Sequence, residues 1–176
     1  MDGVLFHVVF TIKNSRYDWQ KIRRKLPTGF IARTYPFFEG KEEESLIRIL
    51  IDLAGELKLK LVAFNICGDH VHAVLCSDIS EISTIMGLWK GKASYLFNRK
   101  INSLNNGVDE SNQKFEQQNL WAKGFYKKII SNEQELQNVI KYVRINRKKH
   151  GLPPLTSNST NIINSLTDGF SRRRNI

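Results

Sequence analysis

The pattern of apolar and polar residues along the chain predicts alternating strands and helices. Residues 4–12, VLFHVVFTI, are β-branched and aromatic without glycine or proline, which indicates a buried strand. Over residues 42–57 apolar side chains recur at helical spacing, behind three glutamates that suit the positive end of a helix dipole. Residues 59–67 and 70–76 are then predicted as two strands joined by a two-residue turn. The first half of the chain is therefore predicted as β-α-β-β.

A long helix follows the hairpin. Either Asp78 or Ser80 can cap it, and its apolar stripe extends over residues 82–97. Residues 102–119 are polar and lack any period, which predicts a flexible loop. The long helix is therefore predicted to end before this loop.

The last predicted elements are a short strand over residues 125–130 and a helix from Glu133 to about Lys149. Ser131 or Asn132 can cap the helix, and Gly151 ends it. We assign no fold to residues 154–176, which are rich in Ser, Asn and Thr and end in three arginines and two further residues.

The element order β-α-β-β-α-β-α predicts an α+β fold. Its sheet is largely antiparallel and covered by helices, close to the ferredoxin-like or RNA-recognition-motif plan. In the hairpin, the turn places Asn65 opposite His72 and Leu61 opposite Cys76. Cys67 lies far from Cys76 in this register, so we expect both thiols to be reduced. A chain of this length fits one domain, residues 1–153, followed by a basic polar tail.

Charge narrows the class of partner. Lys plus Arg number 27 against 17 for Asp plus Glu, a net charge of +10, which favours nucleic acid first and a membrane surface second. A basic surface that only serves solubility is the alternative. No apolar run reaches the roughly 18 residues of a membrane span. Because Met1-Asp2-Gly3 also lacks the basic start of a signal peptide, we expect a cytoplasmic protein.

Two histidines on the predicted hairpin are the first candidates for chemistry. His70 and His72 are two residues apart in a strand, so their side chains point to one face, beside Asn65 and Cys67 of the facing strand. Such a pair can bind a divalent cation. Two half-exposed histidines without a ligand explain this motif equally well. A zinc site that includes Cys67 lacks an evident fourth nitrogen or sulfur ligand.

The last predicted helix carries the second set of candidates. Tyr142 and Asn146 lie one turn apart on one helix face. The basic residues around them are Lys141, Arg144, Arg147, Lys148 and Lys149, preceded by Lys127 and Lys128. On the residues alone, Tyr142 could stack on a base, pack in the core or act as a nucleophile. The candidates for base stacking are Trp89, Trp121, Phe125 and Tyr126, with core packing favoured for Trp89.

Several segments, in order, carry a likeness to a known family. They are GDHVH after a strand, LWAKGFYKKII and YVRINRKKHGL, together with FHVVFTIK and ISTIMGLWKGKASYLFNRK. The set resembles the Y1 transposase family, the single-tyrosine branch of the HUH endonucleases, which includes IS200/IS605 and REP-associated tyrosine transposases. The likeness extends over about residues 4–152. Its last helix is closest to the REP-associated type, although Arg147 stands where that type usually has proline.

The resemblance implies a role for four residues. His70 and His72 match the family's metal ligands, Tyr142 matches its nucleophile, and Asn146 matches its polar third ligand. It implies Mg²⁺ or Mn²⁺ as the cofactor and single-stranded or hairpin DNA as the partner. It also implies either a homodimer with shared sites, as in IS200/IS605 members, or a monomer, as in REP-associated ones.

The function that the resemblance implies is DNA transposition. The protein would cut and rejoin single-stranded DNA through a 5′-phosphotyrosine, with the basic residues of the last helix and the preceding strand on the DNA. Two other classes remain open at this point. One is a non-catalytic nucleic-acid-binding module on the same fold, and the other is a domesticated, inactive relative kept as a binding protein.

Overall fold

Strand pairing builds one antiparallel sheet from the alternating segments of the sequence. The computed structural model describes residues 3–13, 15, 38, 40–106 and 119–171. The strands in these residues are β1 (Val4–Thr11), β2 (Lys60–Ile66), β3 (His70–Ser77) and β4 (Tyr126–Ile129), in the order β2-β3-β1-β4. Every pair of neighbouring strands is antiparallel. This is the ferredoxin-like plan that the element order predicts, and the predicted α+β class is confirmed.

Helices cover both faces of the sheet. They are α1 (Gly40–Glu56), α2 (Ile82–Asn106), α3 (Glu133–Lys149) and α4 (Ser157–Ser171). The main core lies between α1, α2 and the face of β1 that carries Phe6, Val8 and Phe10. A smaller core, in which Val143 is fully buried, lies between α3 and the other face. The alternation of β1 therefore sends its odd-numbered residues, including His7, toward the α3 side.

No helix among the described residues is both long enough and apolar enough to cross a bilayer.

Two segments that we predicted to lack structure are helical. Helix α2 continues to Asn106, into the predicted loop 102–119, whose residues 107–118 lie outside the described part of the chain. The tail after Pro154 was predicted to have no fold, and instead it contains α4. Thr156 caps α4 by accepting a hydrogen bond from the backbone N–H of Ser159, and Ile163 is buried in the main core. The Ser- and Asn-rich composition of this segment concealed an apolar stripe at helical spacing. Residues 172–176 are not described.

A β-bulge changes the predicted register of the hairpin. Asn65 does lie opposite His72, but Leu61 lies opposite Leu75 and not opposite Cys76. The register shifts between Leu61 and Ala63, so Leu61 packs in the main core while Val62 and Ala63 both pack beneath α3. A bulge inserts one unpaired residue and thereby changes which face the preceding residues occupy. Both cysteines are free, as predicted.

A buried ion pair fastens the C-terminal end of α3 to the rest of the fold. Arg147 Nη1 and Nη2 donate to the Glu43 carboxylate of α1 at 2.6 and 3.2 Å. Nη1 also donates to the Ile66 carbonyl at 2.8 Å, and Nε donates to the Pro153 carbonyl at 2.9 Å. Both side chains are buried. Arg147 is therefore a structural residue here, and our expectation that it contacts DNA is wrong.

We expect Arg147→Met to lower the free energy of unfolding by about 3–5 kcal/mol, because the Glu43 carboxylate would be left buried without its partner. Urea denaturation followed by circular dichroism measures this change. The double variant Glu43→Leu/Arg147→Met should recover a large part of the loss, since it removes both charges. Arg144→Met, on the exposed side of the same helix, is the control and should change stability by less than about 0.5 kcal/mol. An Arg147→Met variant as stable as the unmodified protein would contradict this account.

Candidate functional site

The two candidate histidines lie at the centre of the sheet, beneath α3. His70 and His72 of β3 are 5% and 4% exposed, and their ring centroids are 4.9 Å apart. The half-exposure expected in the alternative interpretation is therefore wrong, and the role of the pair as metal ligands stays a prediction. They share the face predicted from their spacing, and α3 covers that face.

Hydrogen bonds orient the His70 ring. Its Nδ1 lies 2.5 Å from the Asp69 carboxylate, so Nδ1–H donates to that oxygen. The other ring nitrogen, Nε2, lies 3.4 Å from the Asn146 side-chain amide. A carboxylate that holds one ring nitrogen fixes the tautomer and leaves a lone pair on the other nitrogen, as in metal-binding histidines. The contact of His70 Nε2 with the Asn146 amide joins the predicted histidine pair to the predicted Tyr142–Asn146 face.

His7 is a site residue that the sequence analysis missed. Its Nε2 lies 3.1 Å from Nδ1 of His72, and the two rings stack with centroids 5.3 Å apart. Burial lowers the pKa of His7, and the positive charge of Lys128 lowers it further. The neutral imidazole is thus favoured, which can accept a hydrogen bond from the His72 ring. The apolar alternation of β1 indicated the face of His7, but only the pairing of β1 with β3 brings it to His72.

Helix α3 places Tyr142 and Asn146 over these rings. Asn146 is 1% exposed, whereas Tyr142 is 37% exposed and stands edge-on to His72 and His7 at centroid distances of 5.5 and 6.1 Å. Lys149 Nζ lies 4.4 Å from the centroid of the Tyr142 ring. The helix is held in place by Asn65, whose amide donates to the Val143 carbonyl at 2.7 Å. The predicted Tyr–Asn face therefore meets the predicted histidine face.

The remaining basic candidates lie on the surface, with one exception already given. The exposed ones are Lys141, Arg144, Lys148 and Lys149 on α3 and Lys127 and Lys128 on β4. Lys128 forms an ion pair with Glu135 at 2.7 Å, and this hydrogen-bonded partner raises the pKa of its ammonium. The other exposed basic side chains make the surface beside Tyr142 positive, while Glu135 offsets the charge of Lys128.

Of the four aromatic candidates for stacking, only Tyr126 is largely exposed. Trp89 is fully buried and its indole N–H donates to the Leu50 carbonyl, which confirms the core role favoured for it. Trp121 is also buried, and Phe125 packs partly buried against the main core. Tyr126 stands edge-on to His7 at 6.2 Å, so a second tyrosine borders the site.

The donor chemistry of the site permits a cation but does not form a complete set by itself. Within residues 3–13, 15, 38, 40–106 and 119–171, no three side chains of the His, Cys, Asp or Glu type are grouped to hold a metal ion. The candidate set is instead two imidazoles and the Asn146 amide. The atom of Asn146 that lies 3.4 Å from His70 Nε2 is the amide nitrogen, which does not bind cations, and turning the amide over would bring its oxygen to that position. Two ligands of one cation, each about 2.1 Å from it, lie on the order of 3 Å apart. The residues present thus fit a cation completed by water or phosphate oxygens.

Cys67 does not improve this set. Burial raises the pKa of its thiol to about 11, although the Arg147 charge and a hydrogen bond with Asn146 act in the opposite direction. A thiolate is the form that binds zinc. This pKa does not decide the matter, because a bound zinc ion deprotonates its thiol ligand. The zinc interpretation is disfavoured because no three His, Cys, Asp or Glu side chains among the described residues are grouped to hold a metal ion.

The fold and the site together define a class. A ferredoxin-like sheet with a buried histidine pair beneath a tyrosine-bearing helix is the arrangement that the resemblance to single-tyrosine transposases implies. The family model described as "Transposase IS200 like" matches residues 30–146, which is well over half of the chain. The chain belongs to this family. The matched range contains His70, His72, Tyr142 and Asn146, and it leaves out His7.

Three solved structures are similar to the chain at low sequence identity. A candidate transposase from Deinococcus radiodurans R1 is 16% identical, with a TM-score of 0.50 over 84% of this chain and 92% of that one. A REP-associated tyrosine transposase bound to a REP hairpin is 14% identical, with a TM-score of 0.49 over 87% and 72%. The tRNA(His) guanylyltransferase of Saccharomyces cerevisiae is 10% identical, with a TM-score of 0.49 over 94% and 78%. None of the curated proteins searched matches the chain.

We expect His7→Phe to release the tautomer of His72, because Phe keeps the stacked ring but removes the nitrogen that holds Nδ1. Long-range ¹H–¹⁵N correlation spectra of the imidazoles, recorded without metal at pH 7.5, measure this. The unmodified protein should show one neutral tautomer of His72, and the variant should show a mixture. His150→Phe is the matched control, since the His150 ring is exposed and stands edge-on to His70. An unchanged His72 spectrum in His7→Phe would contradict the assignment.

Proposed function

We propose that this protein cuts and rejoins single-stranded DNA, with Tyr142 as the nucleophile. The observation that carries the proposal is the meeting of Tyr142 with the buried histidines, at 5.5 Å from the His72 ring, on a helix whose exposed side is basic. A tyrosine that served only the core would be buried, whereas Tyr142 is 37% exposed. Its ring borders both the histidine cluster and solvent, which is where an incoming phosphate can reach it.

The proposed reaction exchanges one phosphoester for another. The Tyr142 oxygen attacks the scissile phosphorus in line, the bond to the 3′ oxygen breaks, and the phenol proton is lost to water or a nearby base. The products are a 5′-phosphotyrosine and a 3′-hydroxyl. Because the energy of the phosphoester is kept in the covalent link, a 3′-hydroxyl of another strand can reverse the step and join the DNA. Cutting and joining therefore need no nucleotide triphosphate.

We further propose that His70, His72 and Asn146 hold Mg²⁺ or Mn²⁺. Such a cation, when bound, polarises the phosphate and offsets the charge that develops during displacement. Asp69 and His7 contribute by holding the two imidazole rings through Nδ1. Asn146 lies one turn beyond Tyr142, so the same helix supplies both the nucleophile and the third ligand. Any shift of α3 would therefore displace both together.

The DNA is proposed to follow the basic surface of α3. Lys141, Arg144 and Lys148 can neutralise phosphates, and Tyr126 offers an exposed ring for a base. Single-stranded DNA, or the single-stranded flank of a hairpin, is the proposed partner because stacking requires an unpaired base. Homodimer or monomer, and a cytoplasmic location, stay predictions.

We expect Tyr142→Phe to abolish covalent attachment of labelled single-stranded DNA while binding stays within about twofold. Only the hydroxyl is lost, and the ring keeps its edge contacts. Denaturing gels measure the covalent product, and fluorescence anisotropy measures binding. Tyr126→Phe is the control and should retain full attachment. If the two variants exchange these results, the nucleophile is Tyr126. Binding without covalent product in the unmodified protein would favour the non-catalytic or domesticated class.

We expect His70→Ala or His72→Ala to remove Mn²⁺-dependent attachment, because each removes a proposed ligand. Asn146→Ala should reduce attachment less, since water can fill one position of an octahedral cation. Mn²⁺ binding, followed by titration calorimetry of the DNA-free protein, should weaken in the same order. Because these side chains are buried, thermal melting is recorded for each variant. His150→Ala serves as the exposed control, and a loss of Mn²⁺ binding equal to that of His70→Ala would count against the proposed ligand set.

A further inference from the structure

A cavity of about 480 Å³ lies between β2, the C-terminal half of α3 and α4. Its size falls within the roughly 300–1,000 Å³ typical of small-molecule pockets. Its apolar wall consists of Val62 and Phe64 of β2, Leu152 and Leu155 of the connecting segment, and Ile163 of α4. Neither the histidine pair nor Tyr142 lines it, so it is separate from the site described above. An apolar wall of this kind can accept a flat ring.

The charge of the cavity favours an anionic ligand. Arg144 and Lys148 lie one turn apart on α3, line the cavity and are exposed. Arg147 also lines it, but the Glu43 carboxylate neutralises its charge. Among the described residues no Asp or Glu borders the cavity. Two cations without a local acid are suited to a phosphate group.

Asn65 indicates that the ligand also donates a hydrogen bond. This side chain lines the cavity and is 4% exposed. Its Nδ2 donates to the Val143 carbonyl, so the amide cannot be reversed without placing oxygen against oxygen. Its Oδ1 is buried and accepts no hydrogen bond from any described residue. Buried acceptors are normally satisfied, and a ligand N–H would satisfy this one.

We propose that this cavity is a nucleotide subsite that takes one unpaired DNA base. An N–H group of the base donates to Asn65 Oδ1, the base packs against the apolar wall, and the adjoining phosphate lies at Arg144 and Lys148. An unpaired base offers such a donor because its hydrogen-bonding edge is free. The proposal rests on the proposed function, because it adds a position for one base to a surface that binds single-stranded DNA.

An abasic scan coupled to a cavity-filling variant tests the subsite. Each base of a labelled single-stranded oligonucleotide with a hairpin is replaced in turn by an abasic site, and binding to the full chain is measured by anisotropy. Asn164→Trp fills the cavity from an exposed position on α4 that lines it. Asn161→Trp is the matched control, since it is exposed on the same helix and does not line the cavity. Thr160→Trp, one turn before Asn164 on the cavity side, replaces Asn164→Trp if thermal melting shows that variant to be unfolded.

In the unmodified protein we expect one position at which base removal weakens binding about 10-fold, the scale of one stacked base. The filled variant should bind the intact oligonucleotide about 10-fold more weakly and lose its sensitivity at that one position, while Asn161→Trp should behave as the unmodified protein.

Wild-type affinity in the filled variant, or an equal loss for intact and abasic DNA, would overturn the subsite. Covalent attachment is not needed for this measurement, so the two proposals fail separately. If DNA becomes covalently attached but the filled variant keeps its sensitivity to base removal, only the subsite proposal is wrong. If the filled variant loses that sensitivity but no covalent product forms, only the proposed nuclease activity is wrong. A chain that binds no oligonucleotide overturns both.

Discussion

The buried pair of Arg147 and Glu43 sets the position of the helix on which the site depends. Burying two charges is costly, and the fold offsets the cost by satisfying the guanidinium with the Glu43 carboxylate and with the Ile66 and Pro153 carbonyls. These contacts join α3 to α1, to the end of β2 and to the segment before α4. The middle of α3 is fixed by Val143 in the smaller core. Tyr142 lies next to Val143 in the chain, so its placement follows from packing.

The two proposed histidine ligands are oriented in the same way. In each case Nδ1 is held by a neighbour, which is Asp69 for His70 and His7 for His72. The two neighbours differ in charge, since one is a carboxylate and the other an imidazole. Family membership supports the coarse function, and the likeness to the Deinococcus radiodurans R1 structure, at 16% identity, supports the fold alone. The chemistry at Tyr142 rests on the geometry and on the experiments above.

The features that could be predicted from the sequence are those that depend on short-range periodicity. The hairpin, the face shared by His70 and His72, and the Tyr142–Asn146 face all follow from spacing within one element. His7 was missed because its contact with His72 requires the pairing of two strands 65 residues apart in the chain. The fate of Arg147 depends on Glu43, 104 residues away, and no local pattern separates it from its exposed neighbours. The bulge at Val62 was hidden for the same reason. The helix after Pro154 does have an apolar stripe at helical spacing, and it was missed because its Ser- and Asn-rich composition concealed that stripe.

The two edges of the sheet are protected in different ways. An unpaired edge strand is a template on which another chain can add a strand, and proteins guard such edges by cover or by charge. Edge strand β2 is flanked by α4, which packs against it. Edge strand β4 is exposed along its whole length and carries Lys127 and Lys128 at its centre. Lysine side chains along this edge therefore discourage another chain from adding a strand to β4, independently of any contact with DNA.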